Sequence, residues 1–356
     1  RAGRRGDGAG AGSRGETALT ATLSWRWLAA GALALLAAVL VGLAVGPAGI
    51  PPGALLDDAL ARLGIGSPDA RLSALQSAVL WELRAPRVAL GALVGASLAT
   101  AGGAYQAVFR NPLADPYLLG AAAGAGLGAT VAIVYAGALP LPLAAFAGAT
   151  AAVAGAYLLG RSVGDGRETV TLILAGVAMA ALFTAVQTLL LQQNTENVRA
   201  IYSWLMGRLS TAGWSDVLLA LPYATLSMVV ILAHRRLLDV MRVGDEEAEG
   251  LGVRVEHLRL LVVAAATLGT AAAVSVSGLI GFVGIVVPHA VRLLAGSSYR
   301  VVLPLATLFG AAFLVLADVL ARTALSPAEL PIGVVTACVG APFFILVLRT
   351  SRTAGA

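Results

Sequence analysis

Ten apolar runs set the first constraint on this chain. They lie near residues 25–46, 87–109, 117–136, 139–160, 169–193, 214–233, 258–277, 280–295, 301–321 and 332–349. A helix needs about 20 apolar residues to cross a bilayer core, and most of these runs reach that length. The expected fold is therefore all-α: a polytopic membrane protein with ten transmembrane helices. The third and eighth runs are short for a full crossing, and Pro288 interrupts the eighth. Such breaks are tolerated where protein or a wet cavity satisfies the freed backbone groups. Composition agrees, with 58% hydrophobic and 12% charged residues, against about 25% charged in soluble domains. A soluble enzyme, a disordered chain and a disulfide scaffold are disfavoured. The single cysteine, Cys338, cannot form an intrachain bridge.

The cations exclude more. All 24 are arginine, and the chain has no lysine. A P-loop needs its lysine on the phosphates, and Schiff-base chemistry needs a lysine amine. If ATP drives this chain, another chain hydrolyses it. The arginines are scattered between apolar runs rather than clustered on one face, which argues against nucleic acid as a partner.

With ten crossings and the N-terminus inside, seven arginines fall outside (Arg62, Arg71, Arg84, Arg87, Arg199, Arg208 and Arg322) and the remaining 17 of the 24 fall inside. That bias predicts both termini in the cytoplasm. Residues 1–24 read as a disordered cytoplasmic tail, 25–350 as the transmembrane domain and 351–356 as a C-terminal tail. Residues 47–86 form a long outside loop, in which Leu55–Leu63 has the pattern of a short surface helix. Residues 234–257 form the longest inside loop and hold the densest charge cluster.

Small residues recur at four-residue spacing, at Gly91 and Gly95 and at Gly120, Gly124 and Gly128. This pattern favours close helix packing in lipid. Gly124 and Gly126 make a lone GxG that lacks the strand and third glycine of a dinucleotide fingerprint. The histidines His234, His257 and His289 are scattered and have no ligand-spaced partners, so no metal site is expected. There is no nucleophile elbow, and this chain is expected to be non-catalytic with no cofactor of its own.

Asp318 is the one carboxylate deep in an apolar run. Arg322, four residues on, shares its helix face. The pair reads as a structural ion pair ahead of a proton relay, which would need a chain of titratable groups. Arg84 and Arg87 bracket Pro86. With Arg322 they could form an outward basic patch that docks an acidic partner or an anionic substrate, or they could snorkel to lipid phosphates. Inside, Asp245, Glu246 and Glu247 suit the first turn of a short helix, which Gly250 or Gly252 would end. Four acids on the side where ATP is found suggest a lever for a cytoplasmic motor.

Several blocks then occur in a familiar order: ELRAPRVALGALVGASLATAGGAYQAVFRNPLADPYLLGAAAGA, VGDEEAEGLGV, SGLIGFVGIVVPHAVRLLAG, LADVLAR and ELPIGVVTACVGAPFF. From about Trp81 to Arg349 the chain resembles the FecCD-like permeases of type II ABC importers, the family of the ferric-siderophore, vitamin B12 and haem importers. The resemblance implies a fold of ten spans and a homodimer, or a pair with a homologous permease. It implies two ATP-binding subunits below, carrying ATP and Mg, and one solute-binding protein outside, in a bacterial cytoplasmic membrane. Arg84, Arg87 and Arg322 occupy the family's binding-protein docking places. Gly244, Asp245, Glu246, Glu247, Ala248, Gly250, Leu251 and Gly252 occupy its ATPase-coupling segment. Asn111 and Leu113 fall at its inner gate, and Glu168 and Thr169 near a second gate position where small hydroxyls are common. Glu168 departs from that pattern, and Arg208 stands where many members carry Ser or Gly. The implied cargo is an iron chelate, with a ferric siderophore ahead of cobalamin and haem. An ion-coupled secondary transporter and a non-transporting membrane protein are the competing readings. The single intramembrane aspartate disfavours the first, and the motif-rich inside loop disfavours the second.

Overall fold

Each apolar run becomes a helix, because in lipid a helix satisfies its own backbone polar groups. The computed structural model describes residues 23–46, 51, 53–55, 58, 60, 72–135, 139–162 and 168–353. The expected tail over 1–24 lies outside these residues except for 23 and 24, and of the expected surface helix over Leu55–Leu63 only Leu55, Asp58 and Leu60 are described; the end of the expected C-terminal tail also lies outside. In chain order the helices are α1 (Trp25–Ala44), α2 (Ala74–Ala78), α3 (Ala85–Val108), α4 (Ala121–Val134), α5 (Leu141–Ser162), α6 (Glu168–Gln193) and α7 (Val198–Leu205). They continue with α8 (Trp214–Ala233), α9 (Arg235–Val240), α10 (Asp245–Gly250), α11 (Val255–Ser277), α12 (Val283–Ala295), α13 (Tyr299–Thr323) and α14 (Ile332–Thr353). Among the described residues the only β pairing is an isolated bridge between Leu325 and Ala328.

Among the described residues seven helices are long and apolar enough to cross a membrane, and three shorter apolar helices accompany them: Ala121–Val134, Val283–Ala295 and the apolar part of α14, Ile332–Val347. The fold is all-α and polytopic, as expected. Two of the expected crossings, α4 and α12, have 14 and 13 residues. At about 1.5 Å per residue neither spans a core of about 30 Å as a straight helix. The second expected span instead starts early. A π-turn over Val79–Arg84 joins α2 to α3 in one 35-residue helical run. Pro86 explains the widened turn, because it offers no N–H to the preceding carbonyls.

The core is built around α3, of which most residues are buried, and α3 packs against α8, α11, α12 and α13. Its crossing with α13 is a backbone contact: a Cβ on Gly95 would stand 2.2 Å from the Gly310 carbonyl oxygen. Gly124 and Gly148 make the same contact between α4 and α5. The small-residue spacing thus serves helix packing. By contrast, large apolar side chains of α1, α6 and α8, such as Leu33, Leu174 and Leu226, are exposed. A monomer in water does not display so much apolar surface, whereas lipid or another membrane chain covers it.

Between α11 and α12 the chain is irregular over 278–282, with positive φ at Gly278 and Phe282. Its polar groups, and those of the first turn of α12, are met from α3 and the segment that follows it. The Tyr117 hydroxyl donates to the Ile280 carbonyl at 3.0 Å and accepts from the Ile280 N–H at 3.2 Å. The Gln106 side-chain amide donates to the Gly284 carbonyl at 3.0 Å. Buried irregular backbone is stable only with such partners.

Gly95→Ala should therefore overpack the α3–α13 crossing and cost about 1–3 kcal/mol. The expected result is a lower thermal midpoint in detergent micelles, with no change for Gly281→Ala, whose added methyl would meet nothing within 4 Å.

Candidate functional site

Charged residues gather at both ends of the α3–α13 pair. At the end where α3 begins, the Arg87 guanidinium donates to both Asp318 oxygens at 2.9–3.0 Å. It also forks onto Glu329 at 3.0 and 3.1 Å. Asp318 is buried on α13, and Glu329 stands half-exposed in the turn after it. The expected partner Arg322 approaches Asp318 only to 3.6 Å, too far for a hydrogen bond. Arg87, 231 positions away in sequence, is the main partner. Asp318 is thus held in an ion pair, as the structural reading required.

The outward basic patch needs correction. Arg84 and Arg322 are only 5% and 4% exposed. Arg84 donates to the Leu43 and Ala44 carbonyls at 2.9 and 3.2 Å, and Arg322 donates to the Gly42 carbonyl at 2.6 Å. These are the last carbonyls of α1, which have no partner inside their own helix. Two arginines close that helix end, where a cation is also favoured by the dipole. Of the three arginines, Arg87 alone lines an open pocket, of about 170 Å³, with Ser203, Arg208, Ser210, Asp318 and Glu329. Arg208 is exposed there, its backbone N–H tied to the Ser277 carbonyl at 2.8 Å. A wider and mostly apolar groove of about 690 Å³ runs beside it, between Leu205 and Met206, the 279–282 stretch and α14.

At the opposite end lies α10. It starts after Gly244, as expected, and Gly252 rather than Gly250 closes it. Gly252, at φ +84, sends its N–H to Glu249, and Val253 sends its N–H to Ala248. This is a paired C-terminal cap that favours glycine at its left-handed position. Ala248 is fully buried and anchors the helix, while Glu246, Glu247, Glu249 and Gly250 are exposed. Leu251 is 71% exposed, and Val243 is exposed as well. Asp245 turns the other way. Its Oδ2 accepts from Arg259 at 2.9 Å and from Arg110 at 3.2 Å. Its partners lie on α11 and just after α3.

Asn111 and Leu113 are both exposed at this same end, and the Asn111 side chain accepts from the Leu113 N–H at 2.9 Å. Glu168 and Thr169 start α6, and their side chains lie outside the described residues. Two further residues went unread in the sequence. Glu329 stands in a turn, and Asp239 lies in the charge-dense 234–257 loop among Arg235, Arg236 and Arg242. Asp239 accepts from the Ser298 hydroxyl and the Tyr299 N–H, both at 2.6 Å, and so caps α13 from α9.

Among the described residues no group of three His, Cys, Asp or Glu could hold a metal ion. His289 meets the Phe343 ring edge-on at 6.0 Å between centroids. In the segment between α3 and α4, burial pushes the Asp115 carboxyl up from 3.8 to about 6, against the opposing effect of the Tyr117 N–H it accepts.

The two carboxylate-arginine ends are joined by α3 and α13 and embedded in apolar helices. The FecCD transport family matches residues 34–350, and the chain belongs to that family. It is an ABC transporter permease, a multi-pass membrane subunit whose family leaves ATP hydrolysis to a separate chain. It is 43% identical over 303 residues to the cobalamin import system permease protein BtuC of Halobacterium salinarum, covering 85% of this chain and 80% of that one. An uncharacterized ABC transporter permease, YvrB of Bacillus subtilis, is 42% identical over 297 residues, covering 82% and 83%. The hemin transport system permease HmuU of Yersinia pestis is 41% identical over 281 residues, covering 76% and 83%. Among solved structures, an inward-facing metal-chelate type ABC transporter superposes with a TM-score of 0.80 at 29% identity, covering 91% of this chain and 99% of that chain.

Because the folded pKa of Asp115 is raised, its contribution to stability is fully present below the unfolded value near 3.8 and is lost as pH rises through about 6. Asp115→Asn, which keeps an acceptor for Tyr117, should raise the thermal midpoint at pH 8 and leave it unchanged near pH 4.

Proposed function

We propose that two copies of this chain form the pathway of an ATP-driven importer for an iron chelate, with a ferric siderophore favoured. A second, homologous permease could replace one copy. The groove of about 690 Å³ carries this reading. It is wide, weakly polar and devoid of metal-ligand clusters among the described residues. Such a surface suits a metal already wrapped in an organic ligand rather than a bare ion. The substrates for which relatives are named, cobalamin, ferric citrate and hemin, are all metal complexes. Cobalamin is the second reading, favoured by the Halobacterium salinarum permease.

The subunit roles follow from the two ends. A solute-binding protein docks at the Arg87 end, where its carboxylates meet Arg87 and Arg208, while Arg84 and Arg322 hold α1 in place beneath them. Two ATPase subunits, which carry ATP and Mg, receive α10 through Leu251, Val243 and the exposed glutamates. Asn111 and Leu113, with the start of α6 at Glu168 and Thr169, narrow the inner gate. Both termini lie in the cytoplasm of a cell-membrane protein, and the chain itself binds no cofactor.

The test is reconstitution in vesicles with the ATPase and the binding protein. ATP-dependent accumulation of a ferric siderophore over cyanocobalamin is expected, and accumulation driven by a proton gradient without ATP would sink the reading. Arg87→Gln should weaken binding-protein affinity by about tenfold at low ionic strength, with the difference shrinking as salt rises. Arg84→Gln should lower thermal stability without that salt-dependent loss. Changing Leu251 and the exposed Glu246 and Glu247 to Lys should release the ATPase in copurification, with Asp245→Asn retaining it.

A further inference from the structure

α3 and α10 end in the same hydrogen-bonded cap. At α10 the left-handed position is Gly252. At α3 it is Arg110, at φ +48, with its N–H on the Ala107 carbonyl at 3.3 Å and the Asn111 N–H on the Gln106 carbonyl at 3.2 Å. Glycine is the low-strain residue at such a position, because an L side chain there crowds the following carbonyl. An arginine in its place needs another reason, and its side chain supplies one. The guanidinium reaches across to Asp245, the first residue of α10, at 3.2 Å.

Asp245 takes Arg110 and Arg259 on the same oxygen, Oδ2, and Oδ1 has no hydrogen-bond partner. Arg259 is buried on α11. Two guanidinium groups therefore converge on one oxygen, and that carboxylate offsets their mutual repulsion. The next residue after Arg110 is Asn111, whose side chain fixes the Leu113 N–H. A continuous set of bonds runs from α10 through Asp245 and Arg110 to Asn111 and Leu113.

We propose that Arg110 is a positioning residue that transmits movement of α10 to the 111–113 segment through Asp245, with the paired arginines separating when the carboxylate withdraws. This rests on the reading of the chain as an ATP-driven permease gated at Asn111 and Leu113. Arg110→Gly separates this role from folding, because glycine keeps the cap and relieves its crowding.

The experiment uses the permease reconstituted with its ATPase, in a Cys338→Ser background carrying Leu113→Cys. Cys338 is the only native cysteine. The maleimide labelling rate at position 113 is measured without nucleotide and after trapping with ATP and vanadate. With Arg110 in place the rate should change by about fivefold or more, in the usual range of coupling between two sites. Arg110→Gly should lose that response while ATP hydrolysis and thermal stability persist, Arg110→Lys should restore part of it, and Asp245→Asn should lose it with the α3 cap untouched. An Arg110→Gly response equal to the parent's overturns the inference alone. A parent with bound, active ATPase and no nucleotide response at position 113 overturns the gating reading and the inference together.

Discussion

Backbone contact between α3 and α13 at Gly95 and Gly310 governs the rest of the architecture. No side chain intervenes there, so the two helices share one geometry along their length. Arg87 at the start of α3 meets Asp318 near the end of α13 because of it. At the other end the same pair aligns the close of α3 with the first turn of α13. The α9–α10 region, with Asp239 and Asp245, then connects to both.

Charge in this protein is concentrated where helices stop. The carbonyls at the end of α1, the N–H groups at the start of α13 and the first turn of α10 each meet a charged side chain from another helix. An apolar medium makes this placement necessary, because a buried charge or helix end without a partner is expensive. Arg84 and Arg322 illustrate it. Their place in a family motif marked them as docking residues, whereas their burial assigns them to the end of α1 and leaves Arg87 facing the pocket.

Much of the fold was legible because a helix period in lipid is almost all apolar, and the ten runs coincide with ten helices to within a few residues at most ends. The early start of α3 was not legible: the charged residues Glu82 and Arg84 interrupt hydropathy, and the π-turn before Pro86 keeps the chain helical through them. The shortness of α4 and α12 showed in the sequence as brief runs, but the Tyr117 bond that sustains the irregular stretch between α11 and α12 could not be read, since it joins residues 163 positions apart. The same limit applies at the sites. The exposed acids of α10 were apparent from their density. The bonds of Asp245 to Arg110 and Arg259 were not legible, because tertiary packing sets them. Arg87 and Glu329 meet across 242 positions.

The capping of α13 has a mechanical consequence. Asp239 grips its N-terminal end and Arg87 its far end, so this helix of 25 residues acts as a strut of about 37 Å. A helix this long meets a thinner bilayer by tilting, and tilting shifts both charged ends sideways in opposite senses. Lipid chain length would then act on this permease as a lateral displacement of its two faces.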